Sequence, residues 1–595
     1  MTETVVMDRA SASRRRYFPS AFGGLTFAGF AICLTALPLA VSLTGYQLNL
    51  LMQAATYAIA VFGLVVVLGY AGQINLAQAA FFGLGAYCVA LGTTDFGLGF
   101  WLSLLLAVCV AAFAGAVLGL ASLRLGGHYL AMVTISFQTI LSLTLNNWIS
   151  LTHGPDGVRG IQRPAILNDS RYFLAFCLAV LFTAGFGVYR LKRRRLGRAM
   201  QAVRDNEIAA AVSGIDTFAT KVFAFTLSAA LGGLGGGLFA GGFTYISPDQ
   251  FTFAESVVFL TMALLGGVTS AFGAAFGTGL LILLPEWLRF LKVVYLAVYG
   301  AAVVLIMVFL PDGLWGIVTW AKRRLISEPP VDRQSIAPLP LTRQAACSAG
   351  QALLEVKSLS KHFGGLKAVD EVNLSVRQNS VHALIGPNGS GKTTMLNVLS
   401  GLYRPMGGSI VFDGGTITNA PPHTRTRLGI ARTFQNIRLF PAMSVLDNVM
   451  VGAEQSGDLF SSARAVRNHA FSALEFVGLA ERAYRDIGSL SYGHQRLVEI
   501  ARALAGNPKL ILFDEPGAGL NHGEKDRLVE LLKQLKDRGL TVLIIDHDMA
   551  MVEQVAERIT VLNFGRHIAD GASRDVLRNP DVIAAYLGEV RSDAA

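Results

Sequence analysis

GPNGSGKTT, residues 386–394, follows the apolar run VHALI (Val381–Ile385) and leads directly into TTMLNVLSGL. The run reads as a buried strand and the segment after it as a helix, so a glycine loop joins a strand end to a helix N-terminus. Gly386, Gly389 and Gly391 let backbone N–H groups approach phosphate oxygens, and the helix end favours anions. The loop as a whole, Pro387, Asn388, Ser390 and Thr394 included, is expected to cradle the phosphates of ATP. Lys392 reaches the β- and γ-phosphates, and the Thr393 hydroxyl is placed to ligate Mg²⁺.

Other segments supply what ATP hydrolysis needs. LILFDEP (Leu510–Pro516) is an apolar strand ending in two carboxylates. Asp514 suits the Mg²⁺ shell, and Glu515 suits polarisation of the attacking water. LSYGHQ, with Leu490, Ser491, Tyr492, Gly493, His494 and Gln495, precedes the helical stretch RLVEIARAL. Its Ser491 hydroxyl, Gly493 N–H and helix dipole can be presented to a γ-phosphate. TFQN carries Gln435, and IIDHD carries His547 after another strand.

Composition places this machinery beside something very different. Charged residues are 15% of the 595, against roughly 25% in soluble domains. Residues 1–325 carry 21 Lys+Arg and 12 Asp+Glu, whereas residues 326–595 carry 29 and 28. The first part therefore accounts for nearly all of the net +10. A basic excess confined to the apolar half argues against nucleic-acid binding and for cationic loops on a cytoplasmic membrane face. The five cysteines show no metal-ligand or disulfide spacing, so they read as packing residues of a reduced protein.

A membrane-spanning helix takes about 20 apolar residues. About ten candidates follow: 22–43, 48–69, 74–93, 98–121, 129–148, 171–190, 218–244, 254–270, 271–290 and 294–310, the eighth and ninth nearly continuous. Arg14–Arg16, Arg124 with His128, the cluster Lys192–Arg195 with Arg198 and Arg204, and Lys322–Arg324 are separated by even numbers of crossings. Positive-inside bias then puts all of them, and the ATP-binding half, in the cytoplasm. The glycine-dense stretch Leu231–Gly242 reads as a hinge or pathway lining or, preferably, as close helix packing through small residues. Pro329, Pro330, Pro338 and Pro340 mark a semi-extended tether. The expected organisation is a transmembrane permease domain (1–325), a linker (326–352) and a nucleotide-binding domain (353–595). The fold class is an α-helical polytopic membrane domain followed by an α/β P-loop NTPase domain.

Over residues 353–590 the motifs resemble the nucleotide-binding domain of ABC transporters. That resemblance implies Gln435 as the Q-loop residue, catalytic and in contact with the metal, Ala518–Asn521 as the D-loop and His547 as the catalytic switch histidine. It also implies that Phe363 stacks on adenine. Tyr492 and His494 depart from the commonest LSGGQ signature, Tyr492 in the manner of the subfamily that follows. GYAGQINLAQAAFFGLGAY (Gly69–Tyr87), LRLGGHYLAMVTISF (Leu123–Phe137), LTLNNWISLTHGPDGVRGI (Leu143–Ile161) and LGRAMQAVRDNEIAAAVSGI (Leu196–Ile215) resemble the LivM-type permease of branched-chain amino-acid importers. FGGLKAV, IARTFQN and a closing AAYLGE resemble its LivG-type ATPase partner. Within the permease match, Glu207, Ala209, Ala210 and Gly214 resemble the EAA…G loop, a coupling helix that docks near the Q-loop.

The resemblance implies ATP-driven uptake of branched-chain or related small hydrophobic amino acids across a bacterial inner membrane by alternating access. It implies as partners a second permease, a second ATPase and a periplasmic or lipid-anchored binding protein, with a homodimer less expected. The same permease family also handles urea, short amides and small organic acids. An exporter half-transporter shares the membrane-then-ATPase order, but the short-looped spans and the EAA-like loop argue against it.

Overall fold

The computed structural model describes residues 33–121, 127–287, 300–301, 304–305, 308–310, 312–325, 336–339, 351–455 and 462–587. It divides into two compact units. One comprises the chain up to Arg193 together with Lys221–Pro330; the other comprises Arg194–Thr220 together with the chain from Val331 onward. The segment 194–220, expected inside the first domain, thus folds with the second.

The first unit is helical. Its helices are α1 (Gly45–Leu64, continued by a π-helical turn Val65–Tyr70), α2 (Gln78–Thr94), α3 (Phe100–Ala121), α4 (His128–Asn147), α5 (Ser170–Lys192), α8 (Thr217–Phe243), α9 (Phe253–Gly266), α10 (Ala271–Trp287) and α11 (Leu314–Leu325). Among the described residues, five segments are long and apolar enough to cross a membrane: Gly45–Tyr70, Phe100–Leu120, His128–Asn147, Ser170–Lys192 and Thr217–Phe243. The expectation of about ten spans is not met among the described residues. The expected eighth and ninth spans are α9 and α10, of 14 and 17 residues, bent by 119° to each other. At 1.5 Å per residue neither crosses ~30 Å of hydrocarbon, so together they make one broken span or a re-entrant loop. The expected third span is reduced to the 17 residues of α2. Half of the first expected span, 22–43, and most of the last, 294–310, lie outside the described residues.

Exposed and internal helices separate by burial. Three-quarters of the most apolar window of Gly45–Tyr70 is buried, against about a quarter of that in His128–Asn147, whose Met132, Ile140 and Leu143 face outward. The glycines of α8 serve close packing. A Cβ at Gly236 would stand 1.8 Å from the Phe82 carbonyl oxygen of α2, and one at Gly85 of α2 would stand 2.1 Å from that of Gly233. Between these apolar helices lies a polar knot that the sequence reading missed. Gln78 is fully buried; its amide donates to the Ala60 carbonyl at 2.7 Å, and its Oε1 accepts from Ser228 Oγ and Asn75 Nδ2 at 3.1 Å each. Buried among apolar helices, such groups are satisfied by neighbouring helices.

The second unit holds an α/β core. Strands β1 (Ala352–Phe363), β2 (Leu366–Arg377), β4 (Gly407–Phe412) and β5 (Gly415–Thr416) form an antiparallel sheet in the order β2-β1-β4-β5. Strands β3 (Val381–Ile385), β6 (Ile430–Arg432), β7 (Leu510–Asp514), β8 (Thr541–Ile545), β9 (Arg558–Asn563) and β10 (Arg566–Ala572) form the second sheet in the order β10-β9-β3-β8-β7-β6. It is parallel except for the β9–β10 pair. Every residue of β3, β7 and β8 is buried, because a parallel sheet is covered on both faces and its strands read as unbroken apolar runs. The crossover order brings the C-terminal ends of β3, β7 and β8 side by side, with Ile545 opposite Asp514. Ligands bind at that edge in open α/β sheets.

The tether is more than a tether. Leu339, within residues 326–352, is 6% exposed and belongs to the apolar cluster around Val381, Ile511 and Val542, with Ile336 packed against it. At least this part of the linker is anchored to the second unit by apolar burial.

One buried histidine gives the core a pH dependence. His382 of β3 is 1% exposed, and its Nε2 lies 2.8 Å from Thr560 Oγ1, which donates to Asp570. Burial lowers its pKa from 6.5 to about 4, with Asp570 opposing and Arg558 assisting. The unfolded chain therefore takes up the proton first. Stability is fully present above pH 6.5 and falls as pH drops toward 4, by about 3 kcal/mol in total. Thermal unfolding of this half in the full chain is expected to show that loss, and His382→Gln to flatten it; an unchanged profile in the variant would assign the acid sensitivity elsewhere.

Candidate functional site

The loop 386–394 connects β3 to helix α12 (Lys392–Leu399). Gly386, Gly389 and Gly391 have φ of +152°, +81° and +98°. Gly386 and Gly391 are also closed in by backbone, since a Cβ at either would stand 2.1 Å from a carbonyl oxygen, of Leu562 and Ala368 respectively. Asn388 and Thr393 are exposed on the loop. Lys392 Nζ turns inward, donating to the carbonyls of Gly386 (2.7 Å) and Pro387 (2.8 Å) and to Ser390 Oγ (3.3 Å). Burial lowers its pKa, while the nearby Glu515 and Asp514 carboxylates oppose that shift.

At the end of β7, Asp514 is 2% exposed. Its Oδ2 accepts from Arg432 Nη2 at 2.9 Å, whereas its Oδ1 is buried without a hydrogen-bond partner. Arg432, which the sequence reading passed over, also donates to Asn397 Oδ1 (2.7 Å) and Ser400 Oγ (2.8 Å) at the far end of α12. One guanidinium thus ties the strand-end carboxylate to the helix that follows the phosphate loop. The only sequence hint was a charged residue inside the otherwise apolar IAR strand.

Glu515 stands at φ +45°, held by its N–H on the Ile545 carbonyl at 2.8 Å. For a glutamate this left-handed conformation costs free energy, and such strain gathers at functional positions. The turn aims the carboxylate away from the strand. Glu515 Oε2 accepts from Gln435 Nε2 at 2.9 Å and lies 3.5 Å from His547 Nδ1. Gln435 of TFQN and His547 of IIDHD, far apart in sequence, thereby converge on one oxygen of Glu515 in FDEP.

The signature begins helix α16 (Tyr492–Ala505), with Ser491 as N-cap. Ser491 Oγ is 2.6 Å from His494 Nδ1, and Gln495 Nε2 donates to the Leu490 carbonyl at 3.0 Å. Burial and, after it, the neighbouring Arg482 lower the His494 pKa. Gly493 faces Glu524, and a Cβ there would meet the carboxylate at 2.2 Å. Tyr492 packs against Gly519 in the stretch 518–521, where Asn521 caps helix α17 (His522–Asp537). Among the described residues, the signature's hydrogen bonds do not reach the phosphate loop. Phe363, 43% exposed at the end of β1, meets Tyr403 edge to face at 5.4 Å, with Lys361 Nζ 5.3 Å from the Phe363 ring centre. Tyr403 and Lys361 extend an aromatic surface of which the sequence reading found only Phe363.

The segment from the helical half builds a second site on the same unit. Helices α6 (Arg195–Asp205) and α7 (Glu207–Val212) place Ala202, Val203, Ala209, Ala210, Val212 and Ile215 in one apolar cluster with Phe434, Phe440, Met443 and Val451. Around it Asp205 accepts from the Ala442 N–H (2.9 Å), and the Val212 carbonyl accepts from Thr426 Oγ1 (2.9 Å). Arg198 Nε donates to Glu454 at 2.9 Å in a buried ion pair. Burial raises the Glu454 pKa, and Arg198 counters it. Gly214, at φ +89°, presses on Gln455, whose Cγ would be 2.5 Å from an added Cβ.

A phosphate loop, a strand-end carboxylate pair, a signature helix and a helix-bearing docking loop define an ATP-binding cassette serving a membrane permease. A profile for the branched-chain amino acid transport system permease component matches residues 46–310. One for ABC transporters matches 369–518, and one for branched-chain amino acid ATP-binding cassette transporters matches 566–591. Among similar proteins, the high-affinity branched-chain amino acid transport ATP-binding protein BraF of Pseudomonas aeruginosa is 44% identical over 40% of this chain and 98% of its own length. The corresponding protein LivG of Escherichia coli is 42% identical over 40% of this chain and 99% of its own. A solved ATP-binding cassette of an ABC transporter in its ADP conformation is 37% identical over 40% of this chain and all of its own, with a TM-score of 0.37. The chain belongs to the branched-chain amino acid ABC transporter family, with a permease domain and an ATP-hydrolysing cassette in one polypeptide. It is a membrane protein with a soluble ATPase domain.

Proposed function

We propose that this chain is an importer subunit, driving uptake of branched-chain or related small hydrophobic amino acids across a bacterial inner membrane. The observation that carries this reading is the docking of the EAA-like loop, Arg195–Ile215, on the residues that flank Gln435. The segment whose Gln435 holds Glu515 is thereby joined to a stretch of chain continuous with helices α5 and α8 of the permease. In this reading the assembly contains a second permease, a second ATPase and a periplasmic or lipid-anchored binding protein, because one permease and one cassette make half of an alternating-access machine.

Lys392 and the backbone N–H groups of Gly389–Thr394 hold the β- and γ-phosphates, and Phe363 takes the adenine ring. Glu515 orients and deprotonates the attacking water, Gln435 fixes that carboxylate from one side, and His547 reaches the γ-phosphate end of the site. Ser491 and Gly493 complete the partner cassette's site, so each ATP is sandwiched between two chains. The residues present also fit Mg²⁺. Asp514 offers a buried, unpartnered Oδ1, and Thr393 and Gln435 offer neutral oxygens, a sparse oxygen set of the kind Mg²⁺ completes with phosphates and water. When bound, that ion would neutralise charge gathering on the transferring phosphoryl group.

In proteoliposomes holding the complete complex, a leucine-loaded binding protein is expected to stimulate ATP hydrolysis and drive accumulation of labelled leucine against its gradient. Stimulation by a urea- or amide-loaded binding protein alone would move the substrate assignment within the family. Transport with no need of a binding protein would favour an exporter.

A further inference from the structure

Helix α16 does more than present the signature. Five residues beyond Ser491, Arg496 is 1% exposed. Its Nη1 donates to the Phe434 carbonyl and its Nη2 to the Gln435 carbonyl at 2.6 Å. Glu499, one turn further and fully buried, accepts from Arg496 Nη1 at 2.9 Å and from the Arg438 N–H at 3.3 Å. Arg502 stands 3.7 Å from the same carboxylate and donates to the Arg438 carbonyl at 2.8 Å. One face of α16 therefore grips both ends of the segment Phe434–Arg438. Gln435, inside that grip, holds Glu515 at 2.9 Å, and Arg438 reaches Asn206 of the docking loop at 3.5 Å. A guanidinium that makes two carbonyl contacts and a buried ion pair at once is a rigid link, since its donors lie in one plane and leave little freedom to slide.

We propose that the Arg496–Glu499–Arg502 face of α16 is a positioning element that couples the two ATP sites of the assembled transporter. ATP held by the second cassette is sensed at Ser491, at the start of α16, and the displacement of that helix reaches Gln435 and Glu515 of this chain's own site through Arg496. This rests on the two-cassette sandwich of the proposed function. Arg496 touches neither nucleotide, so it acts through Gln435.

Arg496→Lys keeps the charge facing Glu499, but a single ammonium cannot span both carbonyls. In the reconstituted complex, wild type is expected to show cooperative dependence of hydrolysis on ATP. In Arg496→Lys the Hill coefficient falls to about 1 and kcat drops about 5-fold or more, the low end of measured couplings between sites. Affinity for ADP at this chain's own site stays as in wild type. Unchanged cooperativity and kcat overturn the proposal, as does an ADP affinity that falls in parallel, which would mark general damage. If the variant does not accumulate, amide hydrogen exchange at Gln435–Arg438 in the unaltered chain decides. Protection by ATP should vanish when the partner cassette's phosphate-loop lysine is replaced by alanine, and protection that persists overturns the link. Ser491→Ala separates this from the underlying reading: wild-type hydrolysis in that variant removes the sandwich itself, whatever Arg496 does.

Discussion

Glu515→Gln, in the assembled transporter with the second ATPase site separately disabled, is expected to bind ATP normally and hydrolyse it on the order of 10²-fold more slowly, or worse. The substitution preserves shape and still offers an oxygen to Gln435, whose Nε2 stands 2.9 Å from the carboxylate. It removes the charge and the proton-accepting ability of the one oxygen on which Gln435 and His547 converge. Binding is spared because the phosphate loop is organised independently, through Lys392 and the loop carbonyls. The loss corresponds to about 3 kcal/mol of transition-state stabilisation, and the closed, ATP-bound assembly should accumulate while uptake stops. Lys392→Ala fails at an earlier stage, by weakened ATP binding, so the two variants separate in a binding assay. Steady-state turnover near wild type in Glu515→Gln would remove Glu515 from the catalytic role.

Gly214→Leu is expected to leave basal ATP binding intact and abolish both transport and binding-protein stimulation. Gly214 sits at φ +89°, where a branched side chain is strained by about 1–2 kcal/mol. A Cβ would also press within 2.5 Å of Gln455 Cγ and 2.9 Å of its Cδ. Gln455 follows Glu454, whose pair with Arg198 is one of the polar ties of the docking loop. Displacing this corner loosens the loop where it turns back toward α8, without touching Lys392 or Glu515. ATP binding and basal hydrolysis within twofold of wild type, with uptake lost, is the expected pattern. Normal uptake would show that motion is not transmitted at this corner.

The chemistry of the cassette was legible in the sequence because each of its parts is local. A glycine loop between a buried strand and a helix needs only nine consecutive residues, and Asp514 with Glu515 needs one apolar strand and its end. For the expected eighth and ninth spans, hydropathy did not report geometry. Residues 254–290 are apolar apart from Glu255, Glu286, Arg289 and a few hydroxyl residues, and a break at Gly267–Ser270 with a 119° bend leaves composition almost unchanged. Arg432, Arg496, Glu499 and Arg502 were invisible as a group because charged residues on a strand or helix read as solvent-facing until the packing around them is known. All four are buried here; Arg496, Glu499 and Arg502 pair along one face of α16, while the contacts of Arg432 with Asp514 and of α16 with the backbone of residues 434–438 arise only when β6, β7, α16 and the Gln435 segment come together. By itself the sequence determined the two-part architecture and the glycine loop between strand and helix, since short-range pattern dictates these, and it nominated the residues proposed to hydrolyse ATP. Tertiary structure alone decided that Gln435 and His547 meet on one oxygen of Glu515, and that residues 194–220 leave their apolar neighbours to pack on the cassette. Both depend on long-range burial and charge compensation, which no local pattern encodes.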